Sequence, residues 1–413
     1  MDLATRLQKR WVIAAAGVVM QMALGAVYAW SVFRIPLTRA FGWSISEVTV
    51  TFTIAIFVLG LAAFGGGLWM RRAGPRTVAL TAGVLYGLGV FLASFTRGRL
   101  WWLYGSYGVI AGVGLGLGYI VPVATLVKWF PDKRGLITGL AVAGFGTGAL
   151  ITAPIATRLI ASVGVLQTFA ILGAAYFVAV TGGALFMENP PEGYRPPGSD
   201  LDFRSQVTGR ENRDLTPRSY TLADALRSWQ WYGLWTLLLL NTTAGIAVIS
   251  QAAPMFQEIT SISAARAASI VGIISIANGA GRLLWAWLSD LVGRRAVFLA
   301  MFLLQAAIFW LLPSAHGLAV FSALTVAVLL CYGGGFGTMP AFAADYFGAE
   351  HVGSIYGLML TAWGVAGVLG PTLMAAMRER SGGYDEGLRL IAGLMLVSAV
   401  IPLLVRPPAP RSG

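Results

Sequence analysis

Cysteine and histidine are nearly missing from this chain, which has one Cys, Cys331, and two His, His316 and His351, in 413 residues. A lone cysteine excludes an intramolecular disulfide and any cysteine-cluster metal site. Two histidines near loops, with no metal-spaced cluster around them, leave little for catalysis, so neither an enzyme nor a resident cofactor or metal is expected. Charge is scarce as well: Asp, Glu, Lys and Arg together make up 11% of the residues. Soluble domains carry roughly 25%, so a water-facing surface over this length is excluded. The short alternating segments of an outer-membrane barrel are also lacking, and no polar stretch is large enough for a soluble signalling domain.

What the chain has instead is apolar sequence, 57% hydrophobic residues with a mean hydropathy of +0.74. Long apolar runs recur, each near the roughly 20 residues that carry a helix across about 30 Å of hydrocarbon. They predict an all-α integral membrane protein with twelve spans, over 11–33, 47–69, 77–96, 101–127, 135–157, 166–187, 229–250, 266–288, 296–313, 317–343, 352–377 and 387–405. The basic start of the first run has the look of a secretory signal. Its apolar stretch exceeds the roughly 7–15 residues of a signal core, so it is expected to be an uncleaved first span.

The formal net charge of +12 could suggest nucleic acid, but the placement of the cations explains it better. With twelve spans and the N-terminus inside, 19 of the 29 Lys and Arg residues fall on the inner side, 9 on the outer side, and Arg282 within a span. This bias puts both termini in the cytoplasm and makes the chain a multi-pass protein of the plasma (inner) membrane, with lipid rather than nucleic acid as its surroundings.

The stretch from Glu188 to Tyr220 is polar, proline-rich and basic, and separates six spans from six. The expected organisation is an N-terminal six-helix bundle over 1–187, a cytoplasmic linker over 188–228 and a C-terminal bundle over 229–413. The linker's arginines could touch lipid headgroups or a partner; a solvated tether is the simpler reading. The halves also resemble each other. "KWFPDKRGLITG" (128–139) follows span four and "DYFGAEHVGSIYG" (345–357) follows span ten, at an offset near 217. "RRAGPR" (71–76) follows span two and "SDLVGRR" (289–295) follows span eight, with Gly74 and Gly293 placed 219 apart. Two loops at nearly one offset argue for a duplicated six-helix unit in parallel orientation, with the substrate path between the copies near the midplane.

Twelve spans, a long central loop and these paired loop signatures resemble the major facilitator superfamily. "KWFPDKRGLITGLAVAGFGTG" and "NGAGRLLWAWLSDLVGRR" are similar to its oxalate/formate antiporter and monocarboxylate transporter group. The resemblance implies the major facilitator fold, two six-helix bundles that rock about a central site, and solute transport. It implies that Asp290, with Arg294, Asp132 and Arg134, forms a conformational latch at the cytoplasmic ends of the spans. The superfamily usually has an acid where this chain has Arg71, which puts the first copy of that latch in question.

Arg282 sits little more than one helical turn past the middle of span eight, where a charge costs about 2.5–3.5 kcal/mol. Two readings stand. Its long arm could snorkel to the headgroups, or its forked donors could hold a carboxylate in a cavity. No other Lys or Arg lies as deep, and no acid within the spans offers an obvious partner, which favours the second reading. Asn278, one turn earlier on the same face, can orient Arg282 or bond the substrate; a polar contact between helices is the alternative. The resemblance further carries Tyr28, Tyr119, Phe145, Tyr332 and Phe336 onto cavity-lining positions, where a phenol can bond a carboxylate and the rings can close a dry pocket. Ordinary packing is the other reading of each. In span eleven the oxalate/formate antiporters carry a lysine where this chain has Trp363, a residue that suits an apolar wall or simple packing. A single internal cation matches a single carboxylate.

"AGVGLGLG" (111–118) lies inside a span and lacks a following Lys-Ser/Thr, so close helix packing is expected rather than a phosphate loop. Gly144, Gly146 and Gly148 in span five, and Gly364, Gly367, Gly370 and Pro371 in span eleven, suit close approach and bending. The function that follows is secondary active transport of small monocarboxylates such as lactate or pyruvate, by alternating access in a monomer, with proton symport expected. Anion exchange is the alternative.

Overall fold

A computed structural model describes residues 3–191, 194 and 219–408; the greater part of the linker expected between the halves lies outside the described residues. Within them the chain is helical and contains no strand. Ten helices among the described residues are long and apolar enough to cross a membrane. One of these, the 49-residue helix Ile45–Ala93, is broken at Gly74 (φ 77°, ψ 165°) and makes two spans. At 1.5 Å per residue it would otherwise exceed 70 Å, about twice the bilayer core. Its two arms lie on opposite sides of one helix: Gly116 packs on Leu59 and Gly114 on Tyr86. The helix Ala264–Val292 supplies the remaining span, so twelve cross, as the sequence reads. No residue near Gly74 opposes a side chain there; the constraint is its left-handed φ, which favours glycine. Gly293, its counterpart in the second copy, turns the same way (φ 94°, ψ 153°).

Several spans depart from plain helix, three of them at the central site. Span one runs from Leu3–Leu24 through a 3-10 segment, Gly25–Trp30, into Ser31–Phe41. Span four opens with a short α turn, Leu100–Leu103, and a π segment, Tyr104–Ala111, before Gly112–Trp129. Span eleven is divided into Val352–Met359 and Thr361–Ser381. Such breaks re-aim side chains, and segments of this kind gather at functional sites.

The two halves close on each other at the face bearing the central linker, here called the linker face. Span five, Arg134–Val163, lies on span eight so tightly that a Cβ at Gly135 would meet the Ala286 carbonyl at 2.3 Å. In the other copy a Cβ at Gly67 would meet the Gly353 carbonyl at 2.1 Å. Small residues at both seams let backbones touch, which is how membrane helices associate without a hydrophobic driving force.

Candidate functional site

Midway along the interface between the halves, Arg282 is completely buried. It does not snorkel. Its Nε donates to Asn278 Oδ1 at 3.3 Å, one turn earlier on the same helix. Its Nη1 donates to the Val142 carbonyl of span five at 3.1 Å and its Nη2 to the Tyr28 hydroxyl of span one at 3.4 Å. Each of these partners is neutral, and among the described residues no carboxylate pairs with it. The guanidinium carbon also lies over two rings, 5.0 Å from the Phe336 centroid and 5.8 Å from that of Phe145. Ring faces contribute about 0.5–2 kcal/mol to a desolvated cation but do not neutralise it.

The backbone makes room for this arm. A Cβ on Gly146 would stand 2.9 Å from Gly279 Cα and 3.3 Å from Arg282 Nε. Glycine at that point lets span five pass against the turn that carries Asn278 and Arg282.

The aromatics foreseen as cavity residues form one cluster around the guanidinium. Phe145 meets Tyr28 and Tyr119 edge-on at 5.3 and 5.2 Å. Trp363 completes the ring: its centroid is 4.8 Å from Phe336, 6.0 Å from Phe145, 6.1 Å from Tyr119 and 6.3 Å from Tyr28. Tyr332 stands edge-on to Phe336 at 5.3 Å. Spans one, four and five of the first half and eight, ten and eleven of the second therefore converge here. Trp363 presents an apolar wall at the point where the two halves meet. Tyr28 is only partly buried, whereas the other members are buried. It lies past the middle of span one, on the side away from the closed linker face.

Several groups in this cluster escape sequence reasoning. The Val142 carbonyl is one, since a backbone acceptor has no sequence signature. Tyr356, whose hydroxyl lies 3.4 Å from that of Tyr119, and Gln21, whose Nε2 donates to the Tyr119 carbonyl at 3.1 Å, are others. Both are polar residues in apolar runs, which was the available signal.

The latch residues divide. The Asp290 carboxylate accepts the Gly135 and Leu136 backbone N–H groups at 3.0 and 2.8 Å, capping span five from the opposite half. It also pairs with Arg294 at 2.8 Å. Arg134 reaches across the same seam to Asp345 at 2.9 Å, and Asp345 holds Arg294 with its other oxygen at 2.9 Å. Asp345 is the member that sequence reasoning missed; an acid directly before the aromatic pair of the second loop was the sign. Asp132 is not part of this network. It faces Arg10 at 3.4 Å within its own half, because Arg10, over the Phe130 ring at 4.7 Å, is nearer than anything across the seam.

The arrangement sets one buried guanidinium, bonded to neutral groups, between the two halves. The model of the Major Facilitator Superfamily matches residues 12–279 and 234–413. The chain is 26% identical to an oxalate:formate antiporter of Oxalobacter formigenes, covering 97% of this chain and 94% of the relative. It is 25% identical to apicoplast pyruvate carrier 1 of Toxoplasma gondii, covering 84% and 72%. Among solved structures it is similar in fold to the fucose:proton symporter of E. coli, with a TM-score of 0.69 at 14% identity over 95% and 98% of the two chains.

Proposed function

Because the chain belongs to the Major Facilitator Superfamily, we propose that it is a secondary transporter of small monocarboxylates, working by alternating access with both termini in the cytoplasm. The observation that carries this reading is the buried Arg282, bonded only to neutral groups and set between the halves. A guanidinium in low dielectric is under-compensated until an anion arrives, and a carboxylate fits its two-pronged donors. Binding from the Tyr28 side would let the anion take over the donors that now reach Tyr28 and the Val142 carbonyl. Since both of those groups belong to the first half and Arg282 to the second, the exchange of partners couples occupancy to rocking. The ring of Phe145, Phe336 and Trp363 suits a short alkyl tail and offers no second cation for a dianion. Relatives named for formate and pyruvate support the substrate class.

Proton symport is the coupling the sequence suggests. One observation favours a second reading, exchange of one anion for another: no Asp or Glu among the described residues contacts Arg282 or its aromatic ring to carry a proton beside the substrate. An empty site would then rearrange slowly, with its charge unpaired.

Uptake of labelled lactate into proteoliposomes tests both levels. Arg282→Gln removes about 3 kcal/mol of ion pairing, on the order of 100-fold in binding, and should abolish uptake in a protein that still folds; normal uptake would sink the carboxylate reading. Uptake driven by an inward proton gradient with nothing inside identifies symport, and strict dependence on preloaded anion identifies exchange.

A further inference from the structure

The two copies of the linker-face seam carry side chains of opposite charge at two matched positions. In the second copy Asp290 caps the start of span five and Asp345 joins Arg134 to Arg294. Counted from Gly74 and Gly293, Arg71 stands where Asp290 stands. Counted from the aromatic pairs Trp129–Phe130 and Tyr346–Phe347, Lys128 stands where Asp345 stands. Two carboxylates on one side thus face two cations on the other. The backbones remain equivalent, since Gly67 meets Gly353 as Ala286 meets Gly135.

With no carboxylate at the positions matching Asp290 and Asp345, the first-copy seam is a pocket of about 230 Å³, walled by Arg71 and Lys128 from one half, Asn189 at the start of the linker, and Glu350, His351 and Gly353 from the other half. The helix Val352–Met359 begins here, and its first residues are capped by no side chain. Their N–H groups point out of the helix end, as do those of Gly135 and Leu136 toward Asp290. His351, 92% buried with 8% exposure, has an Nδ1 that meets no hydrogen-bond partner. Among the described residues Lys128 donates to Asn189 Oδ1 at 3.4 Å and forms no ion pair. Glu350 is the one carboxylate at the rim; its side chain is 66% exposed and stands 3.8 Å from His351 Nε2.

We propose that this pocket binds a small oxyanion, a phosphate or carboxylate group, which takes the place of the missing latch carboxylates and holds the two halves shut on the linker face. Arg71, Lys128 and the His351 ring supply the charge and donors, and the helix start at Val352–Gly353 supplies backbone N–H groups. The site is separate from the one around Arg282, and its ligand is not the cargo in transit. Burial first and then Arg71 push the His351 pKa down, Glu350 pulls it up and Lys128 adds a smaller downward push, so an anion should bind more tightly as pH falls and the ring gains a proton.

Inorganic phosphate is the probe, titrated against gluconate at fixed ionic strength on the full chain in phosphatidylcholine nanodiscs. Phosphate should raise the melting temperature saturably by on the order of 2 °C, more at pH 6 than at pH 8. Lys128→Gln and His351→Gln should each weaken the response about tenfold. Arg71→Asp should abolish it, while reaching the phosphate-bound melting temperature without any anion, because the acid is then built in. In phosphatidylglycerol nanodiscs a site filled by the lipid phosphate would start at the raised melting temperature and ignore added phosphate, whereas a site for free anion would respond as before; both place an oxyanion in the pocket. No response in either lipid, or an equal response in Arg71→Asp, would overturn the proposal. Lactate uptake is not the readout, so failure of the transport reading leaves this result intact.

Discussion

The two linker-face seams are built on one backbone plan and differ in what closes them. The second seam is internally neutralised: two carboxylates, Asp290 and Asp345, answer Arg134 and Arg294 and satisfy two backbone N–H groups. The first seam carries cations, Arg71 and Lys128, at the positions of those two carboxylates, and a pocket lies beside them. Duplication therefore preserves geometry, through Gly74 and Gly293 and through the glycine contacts, while side chains at matched positions diverge to opposite sign. One seam is a fixed latch; the other depends on the solution around it.

The sharpest way to break the contrast is to remove the shared acid of the neutral seam. Asp345 is 8% exposed and holds two arginines, of which Arg294 is 7% exposed. Asp345→Asn leaves both cations facing each other with a neutral amide between them. Removing one partner of a buried pair costs roughly 3 kcal/mol or more, so a large drop in melting temperature is expected, with the linker-side ends of spans five and eight becoming accessible to a thiol reagent when a cysteine is placed at Leu136. A melting temperature within a degree of the wild type would mean the seam is held by backbone contact alone.

Both seams show how far the sequence can be read. The apolar runs, the paired loops and the glycines 219 apart carry the fold, because hydropathy and left-handed turns leave marks in composition. Hydropathy reports the solvent but not the backbone's winding, so the 3-10 segment at Gly25–Trp30 and the π segment at Tyr104–Ala111 left no trace. At the central site Arg282 and Asn278 were legible because a charge in hydrocarbon is conspicuous and i, i+4 residues share a face. The Val142 carbonyl and Tyr356 were not, since their roles depend on which turn of span five or eleven crosses the cation. The latch was half legible for the same reason: loop sequence names the charged residues but not their neighbours, so Asp132 looked like a latch member although it turns to Arg10, and Asp345 stood in a loop signature with no role assigned to it.

Asp290→Asn tests the same seam more gently. The amide keeps one oxygen for the first turn of span five and loses both the second acceptor and the charge that pairs Arg294. Substituted caps cost about 1–2 kcal/mol, and the charge-assisted bonds here place the loss toward the upper figure. The melting temperature should fall by less than in Asp345→Asn, and the double variant should fall by less than the two separate losses added, because both acids act on Arg294. Full additivity would show that the acids work independently.

The smallest effect belongs to the cationic seam, and its sign separates the two. His351 is held neutral by burial and by Arg71 and Lys128, so its folded pKa lies below the ordinary value of about 6.5. With a depressed value for a base, the unfolded chain takes up the proton first, and stability is lost as pH falls through about 6.5 toward the folded pKa. In phosphate-free buffer the wild type should therefore melt somewhat lower at pH 5.5 than at pH 7.5, and His351→Gln should remove that part of the slope. With phosphate present the slope should shrink or reverse, since the bound anion favours the protonated ring. The neutral seam is built from Asp290, Asp345, Arg134 and Arg294 and has no histidine among these four, so Asp345→Asn should leave the phosphate-dependent change in slope intact; a variant of that seam that erased it would show that the two corners do not act separately.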